Sequence, residues 1–260
     1  MKLHFHVNAE KSVAVSQKMR LSAMAARLGI VETSGGDADA VVALGGDGTL
    51  LRAVHEFPGI PVLGFKLGGL GYLSSVAESD FGAALEALAE GRYRVSERCM
   101  LQLGGHAALN DIVLTREMSG HSALLDLEAD GKLVTHYMAD GLIFATPTGS
   151  TAYSLAAGGP VLMPDSASVV VTPLNPHALG VRPLVVRDTV TFKVTVRPRT
   201  PGNSLRVGVY ADGANMGVLS ASESVTISKS AASAKLVELE GYDPYDVLAR
   251  KLGWSGSYVS

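Results

Sequence analysis

The sequence has a single cysteine, Cys99, among its 260 residues. This excludes an intramolecular disulfide and argues against a cysteine-based metal cluster, so we expect a buried, inert thiol. No stretch approaches the ~18 apolar residues of a membrane span. Residues 1 to 11 lack the continuous apolar core of a signal peptide. The formal net charge is only -3, so no overall basic field attracts nucleic acid or anionic membranes. We therefore expect a cytoplasmic protein with neither partner.

The composition is that of a globular protein. Hydrophobic residues make up 47% of the chain and charged residues 18%, far from the composition of disordered or coiled-coil chains. A chain of this length forms one large domain or two small ones.

Two common nucleotide-binding signatures are missing, since the sequence has no G-x-x-x-x-G-K-[ST] motif and its glycine turn at residues 45 to 48 lacks the G-x-G-x-x-G spacing. An ordinary P-loop enzyme or Rossmann dehydrogenase is therefore poorly supported.

Strand and helix patterns alternate over residues 1 to 92. A strand pattern at residues 2 to 7 is followed by a helical pattern at 11 to 28, whose predicted apolar face comprises Val15, Met19, Ala23 and Ala26. The continuous apolar run at residues 40 to 44 is typical of a parallel strand covered on both faces. This alternation predicts a Rossmann-like α/β domain.

Shorter strand patterns follow from Tyr93 onward. Asp130-Gly131 between two alternating runs is a strong hairpin signal, and closely spaced strands of this kind predict a β-sandwich-like domain. The last segment, from about residue 241, returns to a helical pattern. We therefore predict an α/β domain at 1–92, to which a C-terminal helix in about 241–260 returns, and a strand-rich domain at 93–240.

A glycine turn interrupts the apolar pattern in "VVALGGDGTLLRAV", residues 41 to 54. A strand, a glycine turn and a helix together present backbone N–H groups at the positive end of the helix, which suits a phosphate. Asp47 lies in this turn, where it would repel a phosphate unless it takes the proton of an attacking hydroxyl or helps to hold a cation. The alternative is an Asp-Gly turn with a capping aspartate.

A second turn is rich in hydroxyl groups, in "DGLIFATPTGSTAYSLAAGGP" at residues 140 to 160. It offers hydroxyls and amides to a polar ligand, and Tyr153 offers a face for stacking or packing. The G-x-S-x-G spacing of a nucleophile elbow is absent. The alternative is a strand-turn-helix corner without a ligand.

These motifs resemble NAD kinases. The resemblance is carried, in family order, by "GGDGTLL" at 45–51, "LGYL" at 70–73, "LND" at 109–111, the block at 140–160, "NPHALGVRPLVV" at 175–186 and "KLGW" at 251–254. The GGDG element alone also resembles lipid kinases of the diacylglycerol and sphingosine type and phosphofructokinases, whereas the threonine-rich block is much more specific.

The resemblance implies transfer of a phosphoryl group to the 2'-hydroxyl of the adenosine ribose of NAD, giving NADP. It implies ATP as the donor, or inorganic polyphosphate in some members, and a divalent metal cation such as Mg²⁺. It also implies a homodimer or homotetramer. Two rivals stay open: a kinase for another hydroxylated acceptor such as a lipid or sugar phosphate, and a non-catalytic regulator that binds NAD or NADP.

The resemblance also implies roles for individual residues. Asp47 would be the base or orienter for the ribose hydroxyl and would contact NAD. The phosphates would be held by Gly45, Gly46, Gly48 and Thr49, of which Gly48 would also contact NAD. Tyr72 would lie beside the adenine, and Asn110 and Asp111 would bind ribose hydroxyls. The rest of the NAD site would comprise Asp140, Thr148, Ser150, Thr151, Ala152, Tyr153, Ser154 and Asp212.

Two positions depart from the family pattern. Asp111 stands where glutamate is usual, so its carboxylate is one methylene shorter. Lys66 in "GFKLGGLGYL" stands where asparagine is common; it either reaches a phosphate or lies in solvent at a strand end. Two residues of the implied NAD site also have a structural interpretation. Tyr153 could be a packing residue, and Asp212 could be part of a hairpin turn.

Overall fold

The computed structural model describes residues 1–7, 12–68, 71–73, 76–117, 122–198 and 205–254. The chain forms two compact units. The first combines Met1–Glu97 with the segment that begins at Ala234, and the second is Arg98–Ser233. Residues 93–97 and 234–240, which the sequence assigned to the strand-rich domain, thus lie in the first unit.

The described residues of the first unit form one six-stranded sheet and four α-helices. Its strands are β1 (Lys2–Val7), β2 (Val31–Glu32), β3 (Ala40–Gly45), β4 (Val62–Lys66), β5 (Tyr93–Arg98) and β18 (Ala234–Leu239). Its helices are α1 (Ser12–Arg27), α2 (Asp47–Glu56), α3 (Phe81–Ala89) and α5 (Pro244–Leu252). The strand order is β2-β1-β3-β4-β18-β5, and β1 to β4 and β18 pair in parallel. The predicted Rossmann-like layer and the return of the C-terminal helix are confirmed.

Helix α1 buries a face other than the predicted one. Ala14, Leu21 and Ala25 are buried, whereas Met19 is 71% exposed and Val15 is also exposed. The prediction of the buried face was therefore wrong. Apolar residues occur on both sides of this helix, so periodicity alone did not distinguish them. The small side chains of Ala14 and Ala25 allow close packing, which explains why this face of the helix is the buried one. Lys11, where the predicted helix started, lies outside the described residues.

The second unit contains two six-stranded sheets. One has the order β10-β9-β14-β17-β6-β7 and the other the order β13-β12-β11-β8-β15-β16. The strands of the first are β6 (Leu101–Leu103), β7 (His106–Ala108), β9 (Ala123–Ala129), β10 (Lys132–Ala139), β14 (Phe192–Val196) and β17 (Ser224–Lys229). The strands of the second are β8 (Asp111–Arg116), β11 (Gly141–Ala145), β12 (Ser168–Leu174), β13 (Leu184–Arg187), β15 (Val207–Ala211) and β16 (Ala214–Leu219). Short helix α4 (Tyr153–Ala156) follows β11.

These two sheets share a core. Phe144 of β11 and Phe192 of β14 lie with ring centroids 5.1 Å apart, and buried residues of both sheets form one hydrophobic cluster. The other face of the β11 sheet is also buried, around Ile143 and Val170. Central strands covered on both faces read as continuous apolar runs, as "LIFA" does. The predicted β-sandwich-like domain is confirmed.

No helix within the described ranges is long and apolar enough to cross a membrane. Cys99 is half-buried rather than fully buried, and burial raises the pKa of its thiol.

Candidate active site

In the first unit, the glycine turn joins β3 to α2 and places Asp47 at the first position of the helix. The sequence predicted that this helix begins at about Thr49. The structure begins it at Asp47, which therefore belongs to the first turn of the helix rather than to the loop. A carboxylate is stabilised at this position by the helix dipole, and the first-turn N–H groups have no acceptor inside the helix. Gly48 is exposed in the same turn. The turn can therefore present both an acid group and an anion site.

The Asp47 carboxylate has a fixed orientation. It accepts hydrogen bonds from the backbone N–H of Tyr72 at 3.0 Å and of Leu73 at 3.3 Å. A Cβ atom added at Gly71 would collide with this carboxylate, so glycine at 71 is required for the approach. Leu70, in the same LGYL motif, lies outside the described residues. The fold thus holds the acid group in a defined direction, as a proton acceptor requires.

Tyr72 lies beside Asp47 and under a lysine. Its ring is half-buried, and burial, with a smaller contribution from the Asp47 charge, raises the pKa of its hydroxyl. Lys251 of α5 places Nζ 5.3 Å from the ring centroid, a cation–π contact. The sequence gave no role to Lys251. Its only signal was its place in the KLGW motif, because Lys251 and Tyr72 lie far apart in the sequence.

Thr49 and Gly45 serve the turn itself. Thr49 is buried, and its N–H donates to the Gly46 carbonyl at 2.8 Å. A Cβ atom at Gly45 would collide with the Thr49 hydroxyl oxygen. The structure therefore places Thr49 against Gly45 and leaves Gly46 and Gly48 as the more accessible members of the predicted phosphate set.

In the second unit, Asp212 organises the residues of the LND motif. Its carboxylate accepts from the N–H groups of Leu109 at 2.7 Å, Asn110 at 2.8 Å and Asp111 at 3.1 Å. Asp212 has a φ of 47° in the turn between β15 and β16. Asp212 is thus a hairpin-turn residue that also holds the backbone of the LND motif, and its contact with NAD stays a prediction.

Asp111 is a buried carboxyl group with an altered acidity. It is 7% exposed, and its pKa is raised to about 7, first by burial and then by the Asp212 charge. A substantial fraction of Asp111 therefore carries a proton near neutral pH. Such a carboxyl group can both donate and accept a hydrogen bond.

Asn110 presents a buried acceptor that has no protein donor. Among the described residues, its Oδ1 is fully buried and without a hydrogen-bond partner. Because a buried unpaired acceptor is costly, it indicates a ligand or solvent donor. Gly149 packs directly on the Asn110 backbone, where any Cβ atom would collide. The hydroxyl-rich turn and the LND motif are therefore built against each other.

Several hydroxyl groups of the hydroxyl-rich turn form hydrogen bonds to other protein groups. Ser150 and Ser154 are fully buried. The Ser150 hydroxyl donates to the Pro147 carbonyl at 2.7 Å and accepts from the Leu162 N–H at 2.9 Å. The Ser154 and Thr172 hydroxyls share a hydrogen bond of 2.8 Å. Both predicted serines thus hold the turn in shape through bonds to protein groups.

The rest of this turn is more accessible. Thr148 is buried, Thr151 is half-buried, and Ala152 and Tyr153 are exposed, Tyr153 to 48%. Among the described residues Tyr153 has no aromatic ring partner, and about half of it is open to solvent or a ligand. Thr146, which the sequence analysis did not select, donates to the Leu109 carbonyl at 2.6 Å and fixes the start of the turn.

Asp140 lies elsewhere. It precedes β11, whose far end, Ala145, is paired with Asp111. The five residues of β11 span about 17 Å at the usual rise of an antiparallel strand. Asp140 is paired with Arg116 at 2.7 Å and accepts from Asn175 at 3.1 Å, and its pKa is lowered chiefly by the Arg116 hydrogen bond. The structure therefore does not bring Asp140 together with Asp111 and Asn110.

No three side chains of the metal-binding types lie together within the described ranges.

The family model described as the ATP-NAD kinase N-terminal domain matches residues 2–93, and that described as the C-terminal domain matches residues 109–239. NAD kinase of Symbiobacterium thermophilum is 40% identical over 228 residues, covering 84% of this chain and 79% of that protein. NAD kinase of Chlorobaculum tepidum is 39% identical over 227 residues, covering 84% and 77%.

Two solved structures are similar to this chain. An NAD kinase from Archaeoglobus fulgidus in complex with ATP has a TM-score of 0.82 and 25% identity, and covers 98% of this chain and 100% of that one. Yeast NADH kinase complexed with NADH has a TM-score of 0.86 and 23% identity, covering 99% and 89%. The second comparison supports the fold alone.

Proposed function

Because the chain belongs to the NAD kinase family, its reaction is the phosphorylation of NAD to NADP with ATP as donor, and we propose that Asp47 is the residue on which this reaction depends. The observation that carries the proposal is the fixed orientation of the Asp47 carboxylate at the start of α2. An acid group beside an anion site matches the two needs of phosphoryl transfer, an oriented nucleophile and a held phosphate.

In the proposed reaction, the 2'-hydroxyl oxygen of the adenosine ribose forms a bond to the γ-phosphorus of ATP. The bond from that phosphorus to the β,γ-bridging oxygen breaks, and ADP leaves. Asp47 orients the hydroxyl and accepts its proton. General-base assistance of this kind contributes about 10²–10⁴-fold in rate.

The donor phosphates are assigned to the glycine turn. Gly46 and Gly48 leave the backbone accessible at the start of α2, whose positive end favours anions. Gly45 and Thr49 support the turn by their mutual contact. A Mg²⁺ ion held by Asp47 and these phosphates would neutralise charge on the transferred group. Inorganic polyphosphate, which lacks a nucleoside, is a possible second donor for the same site.

The ribose hydroxyls are assigned to Asn110 and Asp111. The unpaired Oδ1 of Asn110 accepts from one hydroxyl, and the carboxyl of Asp111 bonds to another in either protonation state. Asp111, whose side chain is one methylene shorter than that of glutamate, is the first residue of β8. Asp212 acts by holding the backbone of both residues.

The remaining NAD contacts differ in kind. We assign the adenine to the aromatic ring of Tyr72 and further dinucleotide contacts to Thr148, Thr151, Ala152 and Tyr153. Ser150 and Ser154 support that turn from beneath. Asp140 stays a prediction that rests on the resemblance. The homodimer or homotetramer and the cytoplasmic location also stay predictions, and sedimentation analysis of the purified protein tests the first.

The experiment is NADP formation from NAD by the purified protein with Mg²⁺ and ATP, read by a coupling enzyme that responds only to NADP. Polyphosphate is tested in parallel, and EDTA tests the metal requirement. Turnover that EDTA abolishes supports the proposal. Folded protein that binds NAD without converting it would favour the non-catalytic regulator. Phosphorylation of diacylglycerol or a sugar phosphate in place of NAD would favour the rival kinases.

A further inference from the structure

We propose that Lys66 binds the phosphate chain of the phosphoryl donor, a role that rests on the proposed function of the glycine turn. The proposal concerns a residue that departs from the usual asparagine, so it concerns a property of this chain rather than of its relatives in general.

The backbone position of Lys66 is fixed next to the turn. Lys66 is the last residue of β4 and lies opposite Gly45 in the parallel pairing of β3 with β4. Its N–H donates to the Val76 carbonyl at 2.8 Å. Carboxyl ends of neighbouring parallel strands meet at one edge of a sheet, where ligands bind in open α/β folds.

The side chain of Lys66 reaches over the turn. A Cβ atom added at Gly46 would lie 3.3 Å from Lys66 Nζ, and, apart from the adjacent residues Gly45 and Asp47, no other described residue lies within 4 Å of that Cβ. Gly46 has φ −96° and ψ −176°, which any residue can adopt. The backbone therefore does not require glycine at this position. Glycine instead leaves room for the ammonium group at the start of α2.

This ammonium group has no acid partner in the part of the chain that is described. No carboxylate there lies within 4.0 Å of Lys66 Nζ, and the residue is half-buried. A cation held close to a helix N-terminus lies beside a second source of positive potential, an arrangement that an anion would stabilise. The lysine of a P-loop, absent from this sequence, also supplies a point charge to a phosphate.

The donor phosphates are the anion that fits this position. The ammonium lies beside the backbone of Gly46, which the proposed mechanism assigns to the donor, whereas the NAD hydroxyls are assigned to Asn110 and Asp111. A point charge recognises the phosphate chain and not the nucleoside. Lys66 should therefore act equally on ATP and on polyphosphate.

The test is equilibrium binding of ATP and of NAD by calorimetry, in the presence of Mg²⁺, for the intact protein and for Lys66→Met. We expect the Kd for ATP to rise about tenfold, or about 1.4 kcal/mol, with the Kd for NAD changed less than twofold. The fall in ATP affinity with rising salt should also be less steep in the variant. Lys66→Arg should restore most of the affinity.

Lys193→Met is the matched control, because it removes an exposed lysine from β14 with the same change in net charge. Lys66→Gln repeats the test if Lys66→Met lowers the melting temperature. An unchanged Kd for ATP, or a larger change for NAD than for ATP, would overturn the assignment. Because binding is measured separately from turnover, a protein that binds ATP through Lys66 but makes no NADP contradicts the proposed function and not this inference.

Discussion

Asp111 and Asp212 are joined by two hydrogen bonds, one between their backbones and one from the Asp111 backbone to the Asp212 side chain. The Asp212 N–H donates to the Asp111 carbonyl at 3.0 Å, and the Asp111 N–H donates to the Asp212 carboxylate at 3.1 Å. The Asp111 carboxyl is buried, and the half-buried Asp212 lies close enough for its charge to act on it. Burial first, and the neighbouring charge second, make ionisation of Asp111 costly, so this cost depends on pH.

We predict that Asp111→Asn stabilises the protein at neutral pH and above. The folded-state pKa of Asp111 is raised from 3.8 to about 7. Between these values the unfolded chain releases a proton that the folded chain keeps, so the wild-type protein loses stability as the pH rises. Asparagine does not titrate, and its advantage should grow from pH 4 to pH 7 to on the order of 4 kcal/mol at most. Urea unfolding at several pH values measures this difference.

Asp140→Asn is the control for this experiment, because we expect it to change stability in the opposite direction. The pKa of Asp140 is lowered, chiefly by Arg116, so Asp140 contributes stability above its ordinary pKa that is lost as the pH falls. Its asparagine variant should be less stable than the wild type at pH 7 and should approach it in acid. A gap between Asp111→Asn and wild type that does not vary with pH would contradict this account of Asp111.

For Asp47→Asn we predict loss of turnover with retained NAD binding. The amide keeps the size of the side chain and can accept the Tyr72 N–H bond, but it does not accept a proton. The kcat should fall by about 10²–10⁴-fold, while the Kd for NAD changes little. Asp165→Asn, which removes an exposed carboxylate in the second unit, serves as the charge-matched control. Parallel loss of binding, turnover and melting temperature would make Asp47 structural.

Replacing Asn110 by alanine should weaken NAD binding without destabilising the fold. The Oδ1 atom of Asn110 has no hydrogen-bond partner among the described residues, so the loss of this atom breaks no hydrogen bond there. The ribose hydroxyl loses an acceptor, and the Kd for NAD should rise about three- to tenfold, equivalent to a hydrogen bond of about 0.5–1.5 kcal/mol. Asn215→Ala, which removes an exposed side chain bonded to the Gly217 N–H, should leave NAD affinity intact. An Asn110→Ala protein with unchanged affinity would remove this residue from the site.

Ser154→Ala should lower the stability of the protein without weakening its use of NAD, the opposite of Asn110→Ala. Its hydroxyl is buried and bonded to that of Thr172 at 2.8 Å, so alanine leaves a buried partner unpaired at a cost of about 1–3 kcal/mol. Thermal unfolding should register this loss, whereas the Michaelis constant for NAD, measured where the variant is fully folded, should change less than twofold. Thr151→Ala, at a half-buried position of the same turn, is the comparison. A large rise in that constant with normal stability would mean that Ser154 contacts NAD directly.

The sequence predicted the parts of this molecule that local chemistry determines. The glycine turn with Asp47, the α/β alternation and the strand-rich region all follow from backbone needs or from hydrophobic period. Long-range pairing was less accessible. A strand pattern does not show which sheet the strand joins. Residues 234–240 were therefore predicted to lie in the strand-rich domain that precedes them in sequence, whereas β18 pairs with β4 of the first unit.

The same limit applied to individual side chains. Nothing local distinguished Ser150 and Ser154, which bond to protein groups, from the exposed Tyr153. The contact of Lys251 with Tyr72 joins distant positions, and the separation of Asp140 from Asp111 depends on strand direction. Apolar residues on two sides of α1 likewise made its buried face ambiguous until the packing of the unit was known.

The position of β18 sets an order for folding during synthesis. The strand lies between β4 and β5 in its sheet, yet it follows every other described strand in the sequence and leaves the ribosome after them. The second unit is complete once residue 233 has emerged, whereas the first sheet still lacks an inner strand. Domains generally fold as units as they appear. The segment that carries Asp47 must therefore wait, partly assembled, until the chain behind it has been made and a later strand closes its sheet.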